Sequence, residues 1–279
     1  MRLDGKTVLI TGSTDGVGRR VAVRLGEMGA RVLVHGRNQE RGEAVCEEIR
    51  AAGNQRVAFY RADLASLAEV RRLAAAVRND HDRIHVLINN AGLGSGGRGA
   101  RRETSADGFE LRFAVNYLAG FLLTWLLLPT LRASAPARIV NVASAGQHPI
   151  DFNDVMLTRA YVGGRAYMQS KLAQVMFTFD LARELESTGV TVNCLHPATY
   201  MDTTMVREAG ATPISTVDEG ADAIINLAAS PTLTARTGFY YVGLRPSEAD
   251  PQAYDEEDRR KLRALSLQLT GLASAHAAE

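Results

Sequence analysis

The sequence predicts an α/β fold in which helices cover both faces of a doubly wound parallel sheet, giving three layers in a single domain. Short runs of Val, Ile and Leu alternate with helix-like segments along nearly the whole chain. These runs are almost continuously apolar, as expected of parallel strands buried on both faces. No composition break or internal repeat divides the 279 residues. We therefore expect one domain over 1–249, with 250–279 as its C-terminal helix and tail.

Each strand is predicted from a short run rich in Val, Ile and Leu. In chain order the strands cover 7–11, 31–35, 57–61, 84–89, 138–142, 190–195 and 239–242. The helices are predicted from apolar residues at helical spacing and from capping residues. They cover 17–28, 39–52, 67–80, 108–132, 165–187, 217–229 and 256–269. Gly29 is placed as the C-cap of the first helix, and Thr216 with Glu219 forms a capping box before the sixth.

Composition and charge narrow the class of partner. Hydrophobic residues make up 46% of the chain, charged residues 23%, and the formal net charge is +1. This balance offers no basic surface for nucleic acid or an anionic membrane. The richest apolar run, 121–128, is far shorter than the roughly 20 residues that span a bilayer. With only Cys46 and Cys194 and no apolar leader, we expect a cytoplasmic protein without disulfides.

A glycine-rich turn lies between the first strand and the first helix. There, glycines let the backbone approach a pyrophosphate, and the helix N-terminus favours its negative charge. An ordinary glycine-containing turn is the alternative, but the strand before it and the helix after it favour nucleotide binding. We predict that the turn binds a cofactor through Gly12, Ser13, Thr14, Asp15, Gly16, Val17 and Gly18.

Residues at the end of the second strand indicate whether the cofactor carries a 2′-hydroxyl or a 2′-phosphate on its ribose. An acidic residue usually stands there when the ribose 2′-hydroxyl is bonded, but residues 35–38 contain no carboxylate. Arg37 can instead make charge-assisted bonds to a 2′-phosphate. Asp15 argues the other way because it adds negative charge to the phosphate loop, unless it only complements the helix dipole. We therefore predict NADP in preference to NAD.

Tyr167 and Lys171 are four residues apart in a predicted helix and so share one face. A phenol with an ordinary pKa near 10 exchanges protons poorly at neutral pH, and a neighbouring ammonium lowers that pKa by roughly one to three units. An exposed helical pair is the alternative. However, Lys171 is one of only three lysines in a chain that otherwise uses arginine. Tyr161 and Arg165 have the same spacing but lie nearer the loop before the helix.

Other polar residues are predicted at the same edge of the sheet, where ligands bind in open α/β folds. Ser144 follows the strand 138–142, and residues 89–92 end the fourth strand. Asn116 lies within an apolar helical segment, where asparagine is unfavourable. The alternatives are an ordinary loop serine and a buried amide with satisfied hydrogen bonds.

Together these motifs resemble those of the short-chain dehydrogenase/reductase family, over nearly the whole chain. The shared patterns are Thr-Gly-x3-Gly-x-Gly at 11–18, Asn-Asn-Ala-Gly at 89–92 and Tyr-x3-Lys at 167–171, with Ser144 and Asn116 matching the family's serine and asparagine. Stretches 107–124 and 165–197 further resemble the retinol-dehydrogenase-like branch. The resemblance implies a Rossmann-type fold and hydride transfer between a nicotinamide and a carbonyl or alcohol carbon.

The resemblance also implies a role for each member of the tetrad. Tyr167 is the expected general acid in reduction and general base in oxidation, and Ser144 holds the substrate oxygen where charge develops. Lys171 bonds the nicotinamide ribose and lowers the pKa of Tyr167. Asn116 supports a water-linked proton path from Lys171.

Further cofactor contacts are implied at other strand ends. Asp63 matches the aspartate that the family uses against adenine, and the remaining contacts are Leu64, Asn90, Ala91, Gly92 and Pro197. After Pro197 the sequence departs from the family pattern, because Ala198 replaces the usual glycine and the spacing to the threonine is one residue longer. Either Thr199 or Thr203 is then the nicotinamide contact. The apolar residues that follow predict a substrate loop over 198–216, with an ordinary surface loop as the alternative.

The predicted function is an NADP-dependent oxidoreductase that interconverts a carbonyl and an alcohol on an apolar or aromatic small molecule. The alternatives are a reductase or epimerase acting on another bond, and a cofactor-binding sensor with little turnover, which the complete tetrad disfavours. No metal, nucleic-acid or membrane partner is expected. The resemblance implies a homodimer or homotetramer through the helices at 108–132 and 165–187.

Overall fold

Eight strands form the sheet of the computed structural model, which describes residues 2–97 and 99–272. They are β1 (Thr7–Ile10), β2 (Arg31–Gly36), β3 (Val57–Arg61), β4 (Val86–Asn89), β5 (Ala137–Val142), β6 (Val190–His196), β7 (Tyr240–Val242) and β8 (Arg245–Ser247). Their order in the sheet is β3-β2-β1-β4-β5-β6-β7-β8. All neighbours pair in parallel except β8, which is antiparallel to β7.

The helices cover both faces of this sheet, and the predicted three-layer α/β fold is confirmed. They are α1 (Gly16–Glu27), α2 (Gln39–Ala51), α3 (Leu67–Asp80), α4 (Ala119–Ala133), α5 (Gly163–Glu184), α6 (Thr204–Glu208), α7 (Val217–Ala229) and α8 (Glu256–Thr270). Residues of α1, α2 and α7 pack into the core on one face, and those of α3, α4, α5 and α8 into the core on the other.

Several predicted boundaries need correction. The helix predicted over 108–132 contains a π-helical turn, Phe113–Leu118, immediately before α4. The helix predicted over 165–187 is Gly163–Glu184. Neither α6, which lies inside the predicted substrate loop, nor β8 was predicted. Both are short and mostly exposed, so neither has the buried apolar pattern on which the predictions depended. Residues 273–279 of the predicted tail lie outside the described residues.

The strand order places several loops at one edge of the sheet. The chain reverses direction across the sheet at β1, whose Ile10 registers with Val34 of β2 on one side and with Ile88 of β4 on the other. Ligands bind at such a switch point, beyond the carboxyl ends of the strands. The loops after β1, β2, β4, β5 and β6 therefore surround one crevice.

One helical stretch among the described residues, Phe113–Ala133, is long and apolar enough to cross a membrane by length and composition, with a mean hydropathy of 1.6. Within this fold, 72% of its most apolar window is buried. Phe121, Leu122 and Leu127 belong to the core beside the sheet. The stretch thus serves as a core helix of the domain.

Candidate active site

The glycine loop after β1 packs too closely for side chains. Gly12 has φ of +64°, and a Cβ on it would lie 2.7 Å from the Cα of Ala91. A Cβ on Gly18 would lie 2.2 Å from the carbonyl oxygen of Gly12. These contacts explain why glycine is required at both positions, and they leave bare backbone at the N-terminus of α1.

The loop after β4 is bonded directly to the glycine loop. The Thr11 hydroxyl accepts hydrogen bonds from the backbone N–H groups of Asn90 (3.0 Å) and Ala91 (3.1 Å). The Asn90 side chain donates to the carbonyl oxygens of Thr11 (2.9 Å) and Gly12 (3.0 Å). The glycine-rich motif at 11–18 and the motif at 89–92 are therefore joined by hydrogen bonds, two of which come from the Asn90 side chain.

The buried residue His35 is hydrogen-bonded to the glycine loop. The Gly12 N–H donates to His35 Nδ1 at 3.1 Å, and the Ser13 N–H donates to the His35 carbonyl oxygen at 2.9 Å. Burial lowers the pKa of His35 to about 4, so its ring is neutral and Nδ1 can accept. The Ser13 hydroxyl is fully buried and donates to Ile10 O. Ser13 thus supports the loop from inside, and the sequence analysis did not assign His35 this role.

An open cleft of about 240 Å³ lies beside the loop. Asp15 caps α1, where its carboxylate accepts from the Gly16 N–H at 2.7 Å, and it lies 3.5 Å from the Arg41 guanidinium. Arg37 is exposed directly after β2. The residues that line the cleft are Thr14, Asp15, Arg19, Arg41, Ala44 and Thr204. Arg19 and Arg41 bring positive charge to the cleft and Asp15 brings negative charge. Arg41 was not predicted from the sequence.

The remaining predicted contacts on this side differ in exposure. Asp63 follows β3, is partly exposed, and accepts through Oδ1 from the Ala65 N–H at 3.0 Å. Leu64 is a buried core residue. Val17 is partly buried against the core beneath α1. Among these three, only Asp63 has a polar side chain.

Tyr167 and Lys171 lie on one face of α5, as predicted. The Tyr167 ring is partly exposed, whereas Lys171 is only 4% exposed and its Nζ lies 5.9 Å from the ring centroid. Lys171 Nζ donates to Val142 O at 2.8 Å and to Gln174 Oε1 at 2.9 Å. Ser144 follows β5 and lies close enough to the Tyr167 hydroxyl to lower its pKa. The edge of the sheet thus brings a phenol, an ammonium and a serine hydroxyl together.

Burial governs the protonation of this group. It raises the pKa of Tyr167, and the hydrogen bond from Ser144 opposes that rise. It lowers the pKa of Lys171 to about 7, since an ammonium is poorly solvated there. The expected lowering of the Tyr167 pKa by Lys171 is therefore not observed, because burial is the largest effect and raises that pKa.

Asn116 lies in the π-helical turn and links two other parts of the site. Its Oδ1 accepts from the Leu93 N–H at 2.7 Å, and its Nδ2 donates to Ser170 Oγ at 2.9 Å. A Cβ on Gly92 would lie 3.4 Å from both Asn116 Oδ1 and Lys171 Nζ. Asn116 thus joins the loop after β4 to α5, close to the lysine.

The rival tyrosine, Tyr161, precedes α5 and belongs to a different cluster. Its hydroxyl accepts from Arg112 at 2.7 Å and donates to Glu110 at 3.0 Å. Arg112 also donates to Gly94 O at 2.7 Å, so the cluster fixes the loop after β4. Tyr161 therefore has a structural place, and Tyr167 is the tyrosine beside the lysine.

The loop after β6 separates the two candidate threonines. Thr199 shares a hydrogen bond of 2.9 Å with His196 Nε2, whereas Thr203 caps α6 and lies against Gly16 of the glycine loop. Pro197 is buried between β6 and these residues. The two threonines therefore have different neighbours, and only Thr203 lies against the glycine loop. Among the described residues, no group of three or more His, Cys, Asp or Glu side chains could hold a metal ion.

Comparisons with known proteins agree with this geometry. The family model for short chain dehydrogenases matches residues 6–213. Retinol dehydrogenase 13 of Homo sapiens is 39% identical over 291 residues, covering 97% of this chain and 86% of the relative. The solved structure of an uncharacterised protein of Mycobacterium paratuberculosis has a TM-score of 0.78 at 29% identity, covering 97% and 95% of the two chains.

A second solved structure, RhlG of Pseudomonas aeruginosa in an active-site complex with NADP, has a TM-score of 0.71 at 30% identity. It covers 86% of this chain and 95% of RhlG. The family match spans well over half of the sequence, and the curated relative spans nearly all of it. The chain therefore belongs to the short-chain dehydrogenase/reductase family, in its retinol-dehydrogenase-like branch, and is an NAD(P)-dependent oxidoreductase that acts on alcohol or carbonyl groups.

Proposed function

We propose that the protein is an NADP-dependent oxidoreductase that interconverts a carbonyl and an alcohol on an apolar small molecule, with Tyr167 as general acid and base. The observation that carries the proposal is the placement of Tyr167, which neighbours Ser144 and has the buried Lys171 Nζ 5.9 Å from its ring centroid. The glycine loop fits a dinucleotide, because Gly12 and Gly18 leave no room for a Cβ and expose backbone to a pyrophosphate.

The proposed chemistry divides between the cofactor and this chain. NADPH supplies the hydride when bound. Tyr167 donates its phenolic proton to the carbonyl oxygen in reduction and removes the alcohol proton in oxidation, while Ser144 donates a hydrogen bond to the same oxygen. Lys171 keeps a positive charge next to the phenolate that forms, which stabilises that anion in a site of low polarity. Asn116 fixes the loop beside the ammonium.

We propose an apolar alcohol or aldehyde of the retinoid type as the substrate. Retinol dehydrogenase 13 supports this class by similarity. The substrate loop adds support from the residues, since Met205 is 37% exposed and lies against Gly94, while Met201 lies against Gly220. Flexible methionines suit an apolar substrate of irregular shape. A panel of retinoid and short-chain aldehydes with NADPH tests this class, and preference for short polar aldehydes would contradict it.

The preference for NADP is proposed from Arg37, which is exposed directly after β2. Arg37→Ala should weaken NADPH binding about 10- to 100-fold, because charge-assisted bonds to a 2′-phosphate are each worth roughly 1.5–3 kcal/mol. NADH binding should not change. Titration calorimetry with both cofactors measures the difference, and Arg50→Ala near the exposed end of α2 is the matched control. Equal losses for NADPH and NADH would rule out this role for Arg37.

Tyr167→Phe tests the catalytic assignment itself. It should reduce kcat by about 100-fold or more, since it removes the proton donor, and leave NADPH affinity nearly unchanged. Full activity in this variant would refute the assignment. A wild-type protein that binds NADPH but turns over none of the aldehydes, ketones and alcohols tested would favour the sensor alternative.

We also propose a homodimer or homotetramer in the cytoplasm. Both cysteines are buried and unpaired, as suits a reducing compartment. Helix α8 covers part of the helices expected at the interface, where Ser266 bonds Tyr117 at 2.7 Å and Arg263 pairs with Asp180 at 3.2 Å. An assembly would have to use the surface of α4 and α5 that α8 leaves open. Light scattering of the purified protein tests this, and a monomer at micromolar concentration would contradict it.

A further inference from the structure

The ammonium of Lys171 has an unusual set of partners. It is buried, yet within 2–97 and 99–272 no carboxylate forms an ion pair with it. Its two hydrogen bonds go to neutral oxygens, the Val142 carbonyl at 2.8 Å and Gln174 Oε1 at 2.9 Å. A buried charge without such bonds is strongly unfavourable. These two oxygens are the acceptors that stabilise the charged form.

Gln174 is the one of these two partners that comes from a side chain. It is 4% exposed and lies three residues after Lys171 on α5, so both side chains occupy the same face. An ammonium has three N–H donors. Val142 and Gln174 accept two of them and thereby fix the direction of the third, which stays available for a ligand or a water molecule.

Other groups face the ammonium from the elements packed around it. Tyr167 lies on the same helix, with its ring centroid 5.9 Å from Nζ. Asn116 approaches beside Gly92, as described above. His196, at the end of β6, has its pKa lowered first by burial and also by the charge of Lys171. None of these groups is an anion at neutral pH, so none replaces the oxygen of Gln174.

We propose that Gln174 is a positioning residue, which holds the Lys171 ammonium charged and directs it toward the cofactor and Tyr167. This inference rests on the proposed function, in which the charge of Lys171 stabilises the phenolate. Two substitutions with opposite effects on the ammonium distinguish this role from simple packing. Gln174→Met removes the acceptor oxygen at similar size, whereas Gln174→Glu keeps an oxygen and adds a negative charge.

The two variants should shift the titration of Lys171 in opposite directions. Without the acceptor, the charged form loses a bond, and the Lys171 midpoint should fall by about one to two pH units. With a carboxylate, the midpoint should rise by about one unit or more. A structural role alone would move both variants in the same direction or leave both midpoints unchanged.

The scarcity of lysine gives a direct readout. Protein labelled with ¹³C at the lysine side chain has only three such residues, Lys6, Lys171 and Lys261. An NMR titration of wild type and both variants follows Lys171, and the other two signals report whether each variant is folded. Gln169→Met is the matched control, because Gln169 is a buried neighbour on α5 that donates to Val155 O at 2.8 Å. Its Lys171 midpoint should stay at the wild-type value.

Enzyme kinetics give the second readout. In reduction, kcat/KM should fall as pH rises through the Lys171 midpoint. The pH at which it falls should therefore be lower in Gln174→Met and higher in Gln174→Glu than in wild type. Unchanged midpoints in both variants would overturn the role of Gln174, even if activity falls. If Gln174→Met fails to fold, the upward shift in Gln174→Glu decides alone. Absence of turnover in wild type would instead refute the proposed function, while the NMR titration still tests Gln174.

Discussion

Replacing Lys171 by methionine should change how stability depends on pH. Burial lowers the pKa of Lys171 from an ordinary value of about 10.5 to about 7 in the folded chain. Between these values the unfolded state binds more protons than the folded state, so unfolding free energy rises with pH. The penalty of burying the charge is complete below pH 7 and disappears as pH rises. Lys171→Met has no charge to bury and lacks this dependence.

The magnitude follows from the two pKa values. At pH 6 both states of the wild type are charged, and the penalty is about 5 kcal/mol, close to the full shift at about 1.36 kcal/mol per unit. At pH 9 the folded state is neutral and about 2 kcal/mol remains. Wild type should therefore gain about 3 kcal/mol relative to Lys171→Met between pH 6 and pH 9. The acceptor oxygens left unpaired at Val142 and Gln174 add an offset that does not depend on pH.

Urea unfolding of both proteins without cofactor, at one-unit steps from pH 6 to pH 9, measures this difference. Other titrating groups are common to both chains and cancel. Lys261→Met, at an exposed lysine on α8, is the control and should show no such trend. A difference between wild type and Lys171→Met that stays constant within about 0.5 kcal/mol across this range would refute the reasoning.

Two further predictions concern the site and its support. Gly18→Ala should weaken NADPH binding about tenfold or more, because its Cβ would lie 2.2 Å from Gly12 O and distort the phosphate loop; calorimetry showing wild-type affinity would contradict this. Glu110→Gln should reduce the unfolding free energy by about 3–5 kcal/mol, since Glu110 is 1% exposed and lies 3.6 Å from buried Arg112. Urea midpoints measure that loss, and an unchanged midpoint would show that the pair contributes nothing.

The parallel sheet could be predicted because each of its strands is a short apolar run that is visible in the sequence. Short apolar runs bounded by turn residues are expected of strands covered on both faces. The crevice followed from the same reasoning, since the ends of parallel strands meet at one edge. Helix boundaries were harder to predict where two kinds of helix have similar apolar spacing. The π-helical turn at Phe113–Leu118 has nearly the same apolar spacing as an α-helix, so sequence spacing did not reveal it.

Support residues were harder to predict than the candidate catalytic residues. His35 contacts Gly12 across 23 positions of sequence, and nothing in the local pattern of β2 indicates that its ring faces the glycine loop. Gln174 had a visible relation to Lys171, the i to i+3 spacing. That spacing shows only that two side chains are neighbours. Whether the amide oxygen contacts the ammonium also depends on β5, whose Val142 carbonyl oxygen accepts a hydrogen bond from Lys171.

The environment of Lys171 also offers a physical reason for lysine at this position. An arginine keeps its charge at any accessible pH and cannot exchange a proton with a neighbouring phenol. A lysine buried among neutral oxygens has a pKa of about 7, so it can hold a proton or release it near neutral pH. A carboxylate partner would remove this property by raising the pKa. Gln174 and Val142 instead give the ammonium two neutral acceptors, which leave its proton exchangeable.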